Sequence, residues 1–127
     1  MPRNPRYRPL DDRIRCQHML EAAQQILQFT TGRSRADLDA DSMLLRATLH
    51  AMQEIGEAAA KVSDAGRNRV PGVPWQQVVG MRHRLVHDYW DVNRDLVWAV
   101  VERDLAPLID ALNDAFREWP MPELPEV

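Results

Sequence analysis

Between Leu44 and Val62 the apolar residues Leu44, Ala47, Ala51, Ile55, Ala58 and Val62 recur at steps of three and four. A second series, Leu45, Leu49, Met52, Gly56 and Ala59, runs beside it with the same spacing. This is the period of an α-helix, and two adjacent stripes make an apolar surface too wide for one neighbour to cover. One face is expected to fill a core. The other carries small residues that let another helix approach closely, a second subunit's included.

The same period returns on either side. From about Asp11 to Thr30, Ile14, Met19, Leu20, Ala23, Ile26 and Leu27 form a helical face, with Pro9 before it and Gly32 after it as punctuation. Ser34 and Asp37 are spaced to cap a short turn in the polar connection that follows. "SDAGRNRVPGVP" reads as a loop from its Gly and Pro content, and Pro74 suits a helix start. A third helix then carries Trp75, Val78, Val79, Arg82, Val86 and Tyr89 on one face. Asn93 is an N-cap candidate for a fourth, in which Val101, Leu105, Leu108, Leu112, Ala115 and Trp119 keep the period. Pro107 lies inside that run and predicts a kink or local break.

Four amphipathic helices with mostly short connections predict an all-α fold, an antiparallel four-helix bundle. The domain expectation is a basic flexible arm over residues 1–10, one helical domain over 11–119 and an extended tail over 120–127. No segment approaches the roughly 18 apolar residues of a membrane span, and "MPRNPRYRPL" lacks the apolar stretch of a signal peptide. The lone Cys16 cannot close an internal disulfide, sits in a predicted helix and reads as a packed thiol in a cytoplasmic protein. No C-x-x-C pattern is present, so neither a metal nor a cofactor is expected. A net charge of −3 argues against coating nucleic acid by bulk attraction. Yet Arg3, Arg6, Arg8, Arg13 and Arg15, and then Arg67, Arg69, Arg82 and Arg84, cluster enough for a local phosphate site.

The chemistry concentrates in "MRHRLVHDY", residues 81–89. By residue type alone it reads first as a solvated helix face with i, i+4 pairs. Read as a site, it offers Arg82 as a phosphate fork and His87 as a group that moves protons near neutral pH. Arg plus His without a carboxylate–metal cluster suits RNA cleavage by the 2′-hydroxyl. Arg82 and His87 are five residues apart, about 140° around an ideal helix. A shared substrate therefore demands a helix that unwinds near His87, a long reach by Arg82, or two copies meeting in a dimer. His83 and His87, four apart, would align on a continuous helix.

Arg82, four residues, His87, one residue, Tyr89 resembles the R-x-x-x-x-H-x-Y signature of HEPN domains (higher eukaryotes and prokaryotes nucleotide-binding), and of their HepT-like toxin family in particular. "EIGEAAAKVS", "VPWQQVVGMRHRLVHDYWDVN" and "VWAVVERDLAPLIDAL" resemble the family in the same order, so the likeness covers most of residues 11–115. It implies a dimeric α-bundle and a metal-independent ribonuclease, the toxin of a toxin–antitoxin pair. The implied catalytic pair is Arg82 and His87. The implied antitoxin is a nucleotidyltransferase that transfers AMP to Tyr89, with which the dimer could build a larger hetero-oligomer. Relatives often carry Asn after the motif Arg; here His83 stands there, as an auxiliary substrate contact or a substitute for the Asn hydrogen bond. A rival expectation is a non-catalytic, nucleotide-binding partner of the nucleotidyltransferase. Glu57 could approach the motif and is expected to make a structural hydrogen bond or a salt bridge to an Arg, Gly56 to permit close packing, and His18 and His50 to be surface or packing residues. The four Trp are expected to pack, with Trp90 also able to stack on a base.

Overall fold

A computed structural model of the chain describes residues 8–88 and 90–121, with side chains from residue 11. Four helical layers surround one core. The first is α1 (Arg8–Thr30) and the second α3 (Ser42–Ala60), joined through the short α2 (Asp37–Ala40). After α4 (Asp64–Arg69), the third is the broken pair α5 (Trp75–Val79) and α6 (Met81–Leu85). A hairpin, β1 (Val86–Asp88) and β2 (Asp91–Val92), leads to the fourth. That layer is α7 (Arg94–Ala99), a π-helical turn (Val100–Asp104) and α8 (Leu105–Arg117). The all-α expectation holds, with the hairpin as an added element.

α1 opens at Arg8, so Pro9 falls in its first turn, where a missing N–H costs nothing. The basic arm lies outside the described residues up to residue 7, and the tail does so from residue 122. Gly32, at φ +72°, takes the left-handed conformation that stops α1. Asp37 accepts from the Ser34 amide at 2.6 Å, the predicted cap. Asp41 caps α3 by accepting from the Leu44 amide at 3.1 Å, and Asn93 caps α7 by accepting from that of Leu96 at 3.1 Å.

Both stripes of α3 serve this chain's own core. Leu45, Met52 and Ala59 are buried, as are Leu44, Ala51, Ile55 and Ala58. They share one core cluster with Met19, Ala23 and Ile26 of α1, Val78, Met81 and Leu85 of the broken layer, and Val97, Leu105 and Leu112 of the fourth. Each Val, Leu, Ile or Met among them contributes roughly 1.5–3 kcal/mol on leaving water. The close neighbour that Gly56 admits is α5: a Cβ there would stand 3.3 Å from the Val78 carbonyl oxygen.

Three expectations need correction. The predicted loop at 63–74 holds α4, capped by Ser63, whose hydroxyl accepts from the Gly66 amide at 3.2 Å. Gly66 reads as a breaker but is required inside the helix, because a Cβ would come within 2.6 Å of the Asp12 carboxylate. The fourth helix is unbroken in sequence but changes type, and the disturbance is a π turn at Val100–Asp104 that precedes Pro107. Widening that turn relieves the clash a proline ring makes with the carbonyl four residues back. The third helix does not reach Tyr89; it breaks at Gly80 and ends at Leu85. Its buried stripe is Val78, Met81 and Leu85, while Val79 and Arg82 of the predicted face are exposed.

Candidate active site

The motif segment is held at both ends. Pro74 opens α5, and the Trp75 indole donates to the Val70 carbonyl at 3.1 Å. Buried Met81 and Leu85 anchor α6 on α3 and leave Arg82, His83 and Arg84 on the outside. The Val86 amide donates to the Arg82 carbonyl, and the backbone turns extended at φ −126° and ψ 111°. The Asn93 amide then donates to the Leu85 carbonyl at 2.8 Å, which ties the far end of the hairpin to the end of α6.

Between those anchors the two strands pair out of step. Val86 lies opposite Val92 and Asp88 opposite Asp91, so His87 is the extra residue of a bulge. A bulge leaves one residue out of the ladder and re-aims its side chain. His87 and Asp88 are exposed, and Trp90 is 67% exposed. The five-residue gap from Arg82 to His87 is thus crossed by one helical turn and an extended strand, not by continuous helix. The helical alignment of His83 with His87 is lost for the same reason. Tyr89 lies outside the described residues.

Beside the hairpin is an open groove of about 150 Å³. Leu49, Met52 and Gln53 of α3, Met81, Arg82 and Leu85 of α6, and Val86 and Val92 of the hairpin line it. The Arg82 guanidinium and the Gln53 amide make no hydrogen bond or ion pair with another described residue, and the same holds for the imidazoles of His83 and His87. Arg84 reaches the Gln77 carbonyl at 3.4 Å. The segment can therefore offer a guanidinium without an internal acceptor, an accessible imidazole and an apolar shelf.

Among the other arginines, Arg15, Arg46 and Arg103 also make no hydrogen bond or ion pair with a described residue, while several are committed to the fold. Arg13 is buried, donates to the Trp119 carbonyl at 2.6 Å and stacks 3.4 Å from the Phe116 ring centre. Arg67 donates to the Val62 carbonyl at 3.2 Å, and Arg69 lies 4.5 Å from the Trp119 ring centre. Glu57, one turn beyond Gln53 on α3, lines a separate groove with Arg15, His18 and Lys61, and makes no hydrogen bond or ion pair with another described residue, so the expected structural bond is not found. The residue that does face Arg82 from α3 is Gln53, which the sequence reading missed. The signal was present, since Gln53 follows Leu49 by four and shares its flank. His18 and His50 are exposed, as expected, and His50 lies 3.3 Å from Glu54. Trp75, Trp98 and Trp119 are wholly or partly buried, and Trp98 donates to Glu102 at 2.6 Å. Cys16 is packed as expected: burial, reinforced by the Asp12 carboxylate, pushes its thiol up to about 12. Among the described residues no group of three or more His, Cys, Asp or Glu could hold a metal ion, and no helix is long and apolar enough to cross a membrane.

Comparison with known proteins places the same segment inside a matched region. A family model described as "Ribonuclease HepT-like" matches residues 19–115. A Methanocaldococcus jannaschii protein provisionally named an RNase is 31% identical over 87 residues, covering 68% of this chain and 80% of the other. One of the same description from Caldanaerobacter subterraneus is 29% identical over 92 residues, 72% of this chain and 82% of the other. A Thermococcus cleftensis protein provisionally named ribonuclease HepT is 30% identical over 88 residues, 69% of this chain and 80% of the other. No solved structure gives a significant match.

Proposed function

We propose, from the premise that the chain belongs to the HepT-like ribonuclease family, that it is a metal-independent endoribonuclease and the toxin of a toxin–antitoxin pair. One His87 ring nitrogen takes the proton of an RNA 2′-hydroxyl. The 2′-oxygen attacks the adjacent phosphorus, the bond to the 5′-oxygen breaks, and that oxygen leaves with a proton. The products carry a 2′,3′-cyclic phosphate and a 5′-hydroxyl. Arg82 holds the phosphate and neutralises the charge that builds on it in the transition state. A homodimer supplies a second imidazole for the acid step, from the partner subunit's His87, and His83 is an auxiliary contact.

The observation that carries this reading is the helix end at Leu85 followed by a bulge at His87. A continuous helix would hold the two side chains about 140° apart, and the extended strand after Leu85 supports a reading in which both reach one substrate, with the bulge lifting the imidazole out of the ladder. The uncommitted Arg82 guanidinium supports the same reading.

A cognate nucleotidyltransferase antitoxin silences the toxin by transferring AMP from ATP to the Tyr89 hydroxyl, with pyrophosphate leaving. Two residues beyond His87, the added phosphate provides Arg82 with a competing anion. The setting for both proteins is the cytoplasm. Intact mass after co-expression with the neighbouring nucleotidyltransferase tests this. The chain should gain whole AMP units and lose toxicity, and Tyr89→Phe should gain none and stay toxic. An unmodified chain that is nevertheless neutralised by tight binding would favour a purely docking antitoxin instead.

A further inference from the structure

We infer that the groove beside Arg82 is a base pocket, and that Gln53 reads a pyrimidine flanking the phosphate that is cut. The inference rests on the ribonuclease reading. Its grounds are the size, lining and charge of the groove. Apolar cavities of about 150 Å³ accommodate a benzene-sized ring, and this groove has a volume of about 150 Å³ with aliphatic walls from Leu49 and Met52 on one side and Val86 and Val92 on the other. That is room for one six-membered ring. Ligand pockets combine such walls with a few placed polar groups. Here those groups are the Gln53 amide and the Arg82 guanidinium, neither bonded to another described residue.

The two polar groups divide the work by chemistry. An amide offers a donor and an acceptor together, which matches the edge of a base; a guanidinium matches a phosphate. Single-stranded RNA is read in this way, through splayed bases that are packed on one face and hydrogen-bonded along an edge. The mouth carries Arg82, with His83, Arg84 and His87 on the same exposed segment. Asp88 and Asp91 are exposed on the hairpin beyond, so the charge that favours a phosphate-bearing occupant over an apolar partner helix is the Arg82 guanidinium at the groove itself. The hairpin contributes to both functions: Val86 and Val92 wall the groove, and His87 is the bulged residue between them in the strand pairing.

The test uses the purified, unmodified full chain and an RNA library randomised at both positions flanking one cleavable bond, with cleaved ends counted by sequencing. Wild-type protein should prefer a pyrimidine at one of the two positions. Gln53→Met, which keeps the volume and removes the amide, should reduce that preference by roughly five- to tenfold. Leu49→Phe, which fills the groove, should abolish it. Both variants should keep wild-type melting temperature and dimer mass. Three results overturn the inference while leaving the ribonuclease intact: cleavage with no base preference, a purine preference, or a pyrimidine preference that neither variant changes. A change in oligomeric state with preference retained also overturns it, since a second copy then covers the groove. No cleavage by wild-type protein overturns both readings.

Discussion

Arg13 and Arg82 carry the same side chain into opposite circumstances. Arg13 lies in the core, bonded to the Trp119 carbonyl and stacked on Phe116. Arg82 is exposed, with a guanidinium that meets no acceptor among the described residues. Their neighbourhoods differ likewise. Around Arg13, Asp12 accepts from the amide and hydroxyl of Ser63, and Gly66 fits under its carboxylate. Around Arg82 a helix stops, a strand bulges and imidazoles face water. A buried charge left unbonded is strongly destabilising, so the first set is committed to the fold. Exposed groups cost the fold little and remain available to a ligand.

That contrast predicts opposite consequences of equal truncations. Arg82→Ala should slow RNA cleavage by about 10²–10⁴-fold yet alter stability by less than about 0.5 kcal/mol. Steady-state cleavage and urea unfolding on the same preparation check both halves. Arg13→Ala should do the reverse, costing about 2–4 kcal/mol from a lost buried hydrogen bond and ring contact, with cleavage per folded molecule unchanged. Loss of stability in the first variant, or none in the second, would break the comparison.

Gly66→Ala sharpens it further. The new methyl would meet the Asp12 carboxylate at 2.6 Å and Val62 at 2.8 Å, and Asp12 is fixed by Ser63. Overpacking of this kind costs about 1–3 kcal/mol. Urea unfolding should register it, and cleavage should not.

The smallest effect belongs to the exposed ion pairs at the start of α2 and α3. The Ser34 amide holds the Asp37 carboxyl below its usual range, and the Arg33 guanidinium does the same for Asp41. Unfolding returns both to about 3.9, so the unfolded chain takes up protons first as pH falls. Their contribution is present above about pH 4 and lost as pH falls below it. Asp37→Asn with Asp41→Asn should flatten that acid limb of the melting-temperature profile and leave cleavage at pH 7 unchanged.

The sequence disclosed this molecule unevenly, for physical reasons. Helical period made α1, α3 and the fourth layer legible, because apolar residues every three or four positions have one economical solution. It hid Asp12 and Arg13, since a periodicity count passes over buried polar groups that bond to each other's surroundings. It hid α4, because Gly66 signals a break wherever its neighbours are unknown. Pro107 announced a disturbance, but only packing decided that it became a π turn. The motif residues were legible as a set, and their demand for a break or a partner was legible as geometry. The break itself was not, since nothing in "RLVHDY" stops a helix as Gly or Pro would; pairing with Asp91 and Val92 does so from outside the segment. The spacing of Val78, Met81 and Leu85 was the better guide to the buried face, and Arg82 falls off it.

The central claim is that the segment from Arg82 to His87 cuts RNA without a metal. Purified, unmodified protein should be incubated with single-stranded RNA in excess chelator, beside His87→Ala of equal melting temperature. Wild-type protein should leave 2′,3′-cyclic phosphate ends, and the variant should be slower by at least about a hundredfold. Equal rates for the two proteins, or no cleavage of any RNA by wild type, would contradict the account.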